Sequence, residues 1–311
     1  MRDTPQGLAP DPNFEVVLES LVRSICEPHG IDFRINHLSP AIDSANADAE
    51  TAPRIARAVR ARVRTWKPDG VVVTHGTDTL AYTAARLAFD LASIGAPVVL
   101  TGSQFAHGAP NSDAPANLSR AIRAAVRAAS DAPASIAFGG ALLPAVRATK
   151  AHAEALQAFR AERPLGPRPS GIPAHLLQGT QRSMPARVIS FRFVPGVTAA
   201  DLAGAVAGSP DGLIMECYGS GNAPMARPTM ASTLRDICET LPVVAITQCA
   251  TGSVDSTRYA VGSELAATGV IDGADMTLEA AIAKLSFGLD AGLDQAALRS
   301  FMQLNLVGER A

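Results

Sequence analysis

Charge is scarce in this 311-residue chain. Asp, Glu, Lys and Arg together make up 18% of it, against 47% hydrophobic residues. Such a chain must bury much of its length, and it is long enough for one large α/β domain or two smaller ones. No run of Lys or Arg is long, and the formal net charge is −2. That argues against a nucleic-acid surface. Arginine far outnumbers lysine, which we read as compositional drift. Cysteine is sparse as well: Cys26, Cys217, Cys238 and Cys249 form no C-x-x-C pair and match no zinc spacing. Buried free thiols in a reducing compartment are expected, with no metal. Met1 to Gly7 has no apolar h-region, and no apolar run is long enough to span a membrane. A soluble cytoplasmic protein without membrane contact is expected. No repeat of solenoid period is present.

What the chain does contain is alternating strand and helix signals. Ile55, Val59, Val63 and Trp66 fall on one helical stripe. Asp69-Gly70 is a turn, and Val71 to Thr74 reads as a buried parallel strand. Residues 79–94 read as a helix ended by Gly95, with Val98 to Leu100 as the next strand. Leu118, Ile122 and Val126 mark a further helix, and Ser135 to Phe138 a further strand. This order predicts an α/β fold, a mostly parallel sheet with helices on both faces. Residues 1–160 form the expected N-terminal domain. Prolines 164, 167, 169, 173 and 185 mark 161–186 as a linker or long exposed connection. Residues 187–311, with strand signals at Val188 to Val194, Leu213 to Met215 and Val243 to Ile246, read as a smaller α/β domain.

Ligands of such sheets sit beyond the carboxyl ends of the strands. Thr74-His75-Gly76-Thr77-Asp78-Thr79 occupies such an end. Gly76 lets the backbone approach a ligand, and free N–H groups there can hold a developing oxyanion. Thr77 offers a hydroxyl and Asp78 a carboxylate, although either residue alone also suits a helix cap. His75 reads as structural. Thr101-Gly102-Ser103-Gln104 ends the next strand and does not match the G-x-S-x-G elbow. In Arg147-Ala148-Thr149-Lys150-Ala151-His152, a lysine held out of water near Thr77 would serve as a base for its hydroxyl.

Together these segments resemble the bacterial type I (cytoplasmic) L-asparaginases. The likeness runs from Val71 to Gln104 and includes His-Gly-Thr-Asp-Thr, one of the two active-site signatures of that family. It continues through Asn111 to Leu118, Ala148 to Phe159, Tyr218 to Pro224, Thr247 to Val254, Gly269 to Leu285 and Asn305 to Glu309. The resemblance implies a two-domain asparaginase-like fold and hydrolysis of the side-chain amide of L-asparagine to L-aspartate and ammonia. It assigns catalysis to Thr77, Asp78 and Lys150. It assigns substrate binding to Asp43, Ser44, Ala45, Gly76 and Ser103, with Asp113 and Asn117 structural. It further implies a homodimer or homotetramer, with no metal or organic cofactor.

One departure bears on activity. The family opens with a buried strand that runs into Thr-Gly-Gly-Thr-Ile and supplies a nucleophilic threonine. Here no apolar run precedes Phe14, and Met1 to Pro10 resembles the polar stretch that follows that turn. Either Met1 is internal to a longer reading frame or the protein is shortened. An unpaired slot in the sheet is expected. Thr4, followed by proline, is a poor substitute for the missing nucleophile. The expectation is little activity from this chain and full activity with the strand restored. Two other readings compete. One is an asparaginase homologue that has lost catalysis and binds amino acids or regulates. The other is an amidotransferase component, for which no appended basic or partner-binding segment is present.

Overall fold

The computed structural model describes residues 2–4, 7–9, 14–167, 169–178, 182–255 and 260–311. The chain opens on a hairpin, β1 (Arg2–Thr4) against β2 (Gly7–Ala9). Helix α1 (Phe14–Cys26) and helix α2 (Thr51–Trp66) follow. Ile55 and Val59 turn inward from α2, while Arg57, Arg62 and Arg64 face outward, as the 3.6-residue period requires.

The first main sheet contains β3 (Val71–Thr74), β4 (Val98–Thr101), β5 (Ser135–Phe138) and β6 (Ala141–Pro144), in that order. The first three strands are parallel and β6 returns antiparallel. Helix α3 (Leu80–Asp90) links β3 to β4, and α4 (Ala114–Arg127) links β4 to β5. Helix α3 stops at Asp90, short of Gly95, because the backbone turns left-handed at Ser93 (φ 62°) before Gly95 (φ 79°). Leu118 and Ile122 are buried on α4, but Val126 points outward. Among the described residues β3 pairs only with β4, so its other edge has no strand beside it. Ile31, Phe33 and Ile35 pack, with Val72, on the cluster that includes Leu118 and Ile122. They form no ladder there.

A short hairpin follows, β7 (Thr149–Lys150) against β8 (Phe159–Arg160). The proline-rich segment after it is not exposed throughout. Arg163, Ile172 and Leu176 are buried, and the Gly166 and Gly171 amides bond to carbonyls of the chain terminus, Gly308 and Leu306. Proline lacks an N–H, so such a segment needs fewer backbone partners, and here side-chain burial fixes its path.

The second main sheet is parallel. It orders β9 (Val188–Arg192), β10 (Gly212–Cys217), β11 (Val243–Thr247) and β12 (Ile271–Asp272) as β12-β11-β10-β9. Helices α5 (Ala199–Val206), α6 (Met230–Thr240), α7 (Ala260–Ala266), α8 (Leu278–Asp290) and α9 (Gln295–Gln303) complete the chain. Helix α8 packs against α3, and one apolar core runs through both sheets' helices. Cys26, Cys217 and Cys238 are buried free thiols, but Cys249 is exposed. It lies in the loop after β11, where the chain has already left the sheet.

Candidate active site

The parallel register of β3 and β4 sets two loops side by side, one after Thr74 and one after Thr101. They touch closely: a Cβ at Gly102 would collide with the His75 carbonyl oxygen. The first loop is also braced by its own histidine. The Nδ1 of His75 lies 2.7 Å from the Gly76 carbonyl oxygen, and Nε2 lies 3.1 Å from Thr83 Oγ1. Because a carbonyl only accepts, Nδ1 carries the proton and Nε2 accepts from the Thr83 hydroxyl. Burial holds the His75 pKa below its ordinary value, in keeping with that neutral tautomer. His75 is thus a brace for the turn.

Neither Thr77 nor Asp78 caps α3. The N-cap is Thr79, and its hydroxyl donates to the Ser44 carbonyl (2.8 Å) rather than to the helix. Thr77 and Asp78 are therefore free to face another element, and that element is β7. Lys150 Nζ donates to Thr77 Oγ1 (2.9 Å) and to Asp78 Oδ1 (2.8 Å). The lysine side chain keeps 21% of its exposure and Asp78 keeps 59%. The pair is open to a solute, so Lys150 is not the fully desolvated amine that the sequence suggested.

The loop at 39–46 reaches the same place. Ser44–Asn46 is a short 3₁₀ turn, and Asp43 caps it by accepting from the Ala45 amide (3.2 Å). Ser44 is buried against Gly76, where a Cβ would come within 2.8 Å of the Ser44 Cβ. Ser44, Gly76, Thr77, Asp78 and Lys150 thus share one site. The Asp43 carboxylate is engaged in the cap. Ser103 follows Gly102 in the loop beside His75 and is half-buried.

Asp113 and Asn117 hold that second loop. The Asp113 carboxylate accepts from the Gln104 and Phe105 amides and from Asn117 Nδ2. Asn117 also donates to the Gly102 carbonyl and accepts from the Gly139 amide. Gln104 Nε2 reaches the Ala153 carbonyl (2.8 Å), which ties the loop to the lysine hairpin.

Sequence reasoning assigned no role to Glu279. It lies in the first turn of α8 and accepts from Thr149 Oγ1 at 2.6 Å. Burial raises its pKa, partly offset by the Thr149 hydrogen bond. Tyr82, on α3, is pushed up to about 12 by burial, with Glu279 and Glu216 adding to the shift. The only hint in the sequence was the family-like run from Gly269 to Leu285. A separate cavity of about 300 Å³ lies between α2, α3 and α8. Its Arg86 is paired with Asp90 and Asp290. Among the described residues, no three of His, Cys, Asp and Glu gather as metal ligands do, and no helix is long and apolar enough to cross a membrane.

Known proteins share both halves of this architecture. Residues 1–169 match the family described as Asparaginase, N-terminal, and residues 187–302 match the Glutaminase/Asparaginase C-terminal domain. The chain is 32% identical to L-asparaginase 1 of Escherichia coli (strain K12), over 99% of this chain and 94% of that one. The thermostable L-asparaginase from Thermococcus kodakarensis superposes with a TM-score of 0.83 at 31% identity, covering 100% of this chain and 95% of that one. The L-asparaginase I of Vibrio cholerae also superposes with a TM-score of 0.83, at 30% identity, covering 97% of this chain and 94% of that one. Two domain matches that span both sheets, with likeness to whole L-asparaginases, place this chain in the asparaginase family.

Proposed function

We propose that the chain hydrolyses the side-chain amide of L-asparagine to L-aspartate and ammonia. One observation carries the reading: Lys150 Nζ within hydrogen-bond distance of both Thr77 Oγ1 and Asp78 Oδ1. A threonine hydroxyl is a weak nucleophile until a base removes its proton. Lys150, when neutral, accepts that proton from Thr77, and the Asp78 carboxylate then stabilises the ammonium. Of the two threonines that the resemblance brings to the scissile carbonyl, Thr77 is the one in this site, and its oxygen attacks the amide carbon. The negative charge on the carbonyl oxygen meets the main-chain N–H groups near Gly76 and Ser103. As the intermediate collapses, the amide nitrogen takes the proton back from Lys150 and leaves as ammonia. Water gives a proton to the same amine and attacks the Thr77 ester, and Lys150 returns that proton to the Thr77 oxygen as aspartate is released. Ser44 and Ala45 bind the substrate's α-carboxylate, and Asp78 faces its amino group. The reading carries with it a homodimer or homotetramer in the cytoplasm and no cofactor.

Ammonia release from L-asparagine and L-glutamine tests this, in the chain and in its Thr77→Ala and Lys150→Ala variants. The proposal expects asparagine turnover that falls at least about 10²-fold in each variant. Folded protein that binds asparagine by calorimetry but releases no ammonia would replace it with an amino-acid-binding role.

A further inference from the structure

We propose that Glu279, acting through Thr149, is a positioning residue for Lys150, so that the C-terminal domain sets the reach of the catalytic amine. This rests on the reading of Lys150 given above and extends it to a residue outside the site.

Three observations converge. First, Thr149 and Lys150 are the whole of β7, and successive side chains of a strand point to opposite faces. Lys150 points to Thr77 and Asp78, and Thr149 points the other way, to Glu279. A rotation of the strand that moves one must move the other. Second, β7 has little hold of its own. It is two residues long and, among the described residues, pairs only with the equally short β8. Third, the side-chain hydrogen bonds just before Lys150 come from the C-terminal domain and the chain terminus. Arg147 Nε donates to the Gly308 carbonyl (3.0 Å), and Arg147 Nη1 donates to the Asp275 carbonyl (3.0 Å) and pairs with its carboxylate (3.1 Å). Thr149 then meets Glu279 at 2.6 Å.

Glu279 is well placed to hold a hydroxyl. Its residue is 6% exposed, and it sits in the first turn of α8, where the helix dipole favours a carboxylate. At 2.6 Å the hydrogen bond from Thr149 is at the short end of the O–H···O range. The contact joins residues 130 apart in sequence, from one domain to the other. It makes a lysine on a two-residue strand as well placed as one in the middle of a sheet.

The experiment uses Thr149→Val, Thr149→Ser and Glu279→Ala, with two readouts. In steady-state kinetics on L-asparagine, Thr149→Val and Glu279→Ala should lower kcat about tenfold with KM little changed. Thr149→Ser should restore the rate, and the double variant should be no worse than either single one. The second readout needs no turnover. The chain has three lysines, Lys67, Lys150 and Lys284. Lys67 is exposed and Lys284 is fully buried. With limiting acetic anhydride, read by peptide mass, Lys150 should label more slowly than Lys67 in the wild type. It should gain at least threefold on Lys67 in Thr149→Val and Glu279→Ala, while Lys284 stays protected and so reports an intact fold. An unchanged Lys150:Lys67 ratio with Lys284 protected overturns the proposal, as does an additive double variant. If Lys284 loses protection in Glu279→Ala, the near-isosteric Thr149→Val decides alone. Wild-type turnover in Lys150→Ala would instead overturn the catalytic reading, whatever the labelling shows.

Discussion

Gly76 and Ser44 fit together with no room for a methyl group: a Cβ on Gly76 would run into Ser44 Oγ and come within 2.8 Å of Ser44 Cβ. The turn that carries Thr77 and the loop at 39–46 are therefore one packed unit. Thr79 fastens it further by donating to the Ser44 carbonyl at 2.8 Å. Gly76→Ala should push that loop away while leaving Lys150 beside Asp78. Because the loop is assigned to substrate binding, KM for asparagine should rise about tenfold or more, with a smaller change in kcat. Steady-state kinetics check this. Equal losses in kcat and kcat/KM at unchanged KM would show that the loop does not bind substrate.

The histidine brace predicts an acid-sensitive fold. Burial keeps the native His75 imidazole neutral to lower pH than usual. The unfolded chain takes up a proton near the ordinary value of about 6.5. Below that pH the unfolded state binds more protons than the native one, so stability falls as pH falls. The fall ends once native His75 also protonates. One site contributes at most about 1.4 kcal/mol per pH unit. Urea midpoints at pH 7.5, 6.5 and 5.5 should drop for the wild type and drop less for His75→Gln. Parallel curves for the two proteins would remove His75 as the cause.

Much of this site was legible in the sequence alone, and the reasons are local. Strand, glycine turn and helix start are set by neighbouring residues, so Val71 to Thr79 announces its own geometry. A hydroxyl next to a carboxylate on such a turn narrows the chemistry further. Lys150 was a different case. Spacing alone could not bring a residue 73 positions away to Thr77, and only resemblance suggested it. Glu279 stayed hidden because its role depends on a contact between domains, and a glutamate in a first helical turn looks like ordinary dipole compensation. The burial of Arg163 in a proline-rich stretch was equally unreadable. Its partners are carbonyls of Cys249, Ala250, Asp275 and Met276, and every residue has a carbonyl.

Arg86 predicts how the two domains unfold. Its guanidinium donates to Asp90 (3.1 Å) on its own helix, and to Ser286 (2.9 Å) and Asp290 (2.7 Å) on α8. Burial disfavours the charge, but Asp90 and Asp290 outweigh it and raise the Arg86 pKa. Arg86→Met keeps the volume but leaves two buried carboxylates without their shared cation. The cost should be about 3–5 kcal/mol at neutral pH. Burial already raises the Asp90 pKa, and protonation of that carboxylate relieves part of the cost, so the deficit relative to wild type should shrink as pH falls. Calorimetry should also show the single transition broaden or split, since the pairing spans α3 and α8. A loss under about 1 kcal/mol would mean that the apolar packing of the two helices carries the interface without the ion pair.

The chain terminus makes a related prediction with a different remedy. Lys284 and Glu309 pair at 2.7 Å with no exposure of either side chain. Burial pushes the lysine down to about 8, against the pull of Glu309. The ammonium also donates to the Met302 and Leu304 carbonyls, and the carboxylate accepts from the Leu306 and Val307 amides. Glu309 thus helps to hold residues 305–311 against α8, next to the Gly308 carbonyl that accepts from Arg147. Glu309→Ala leaves an unpaired buried ammonium and two orphaned amides, and should cost about 3–5 kcal/mol. Adding Lys284→Met removes the stranded charge and should restore more than half of that loss, because the pair's desolvation cost vanishes with it. The tail amides remain unsatisfied in the double variant, so brief proteolysis should still trim the terminus. Urea unfolding of the two variants separates the terms. A double variant no more stable than Glu309→Ala would show that the carboxylate's bonds to the tail, and not its charge partner, hold this end of the molecule.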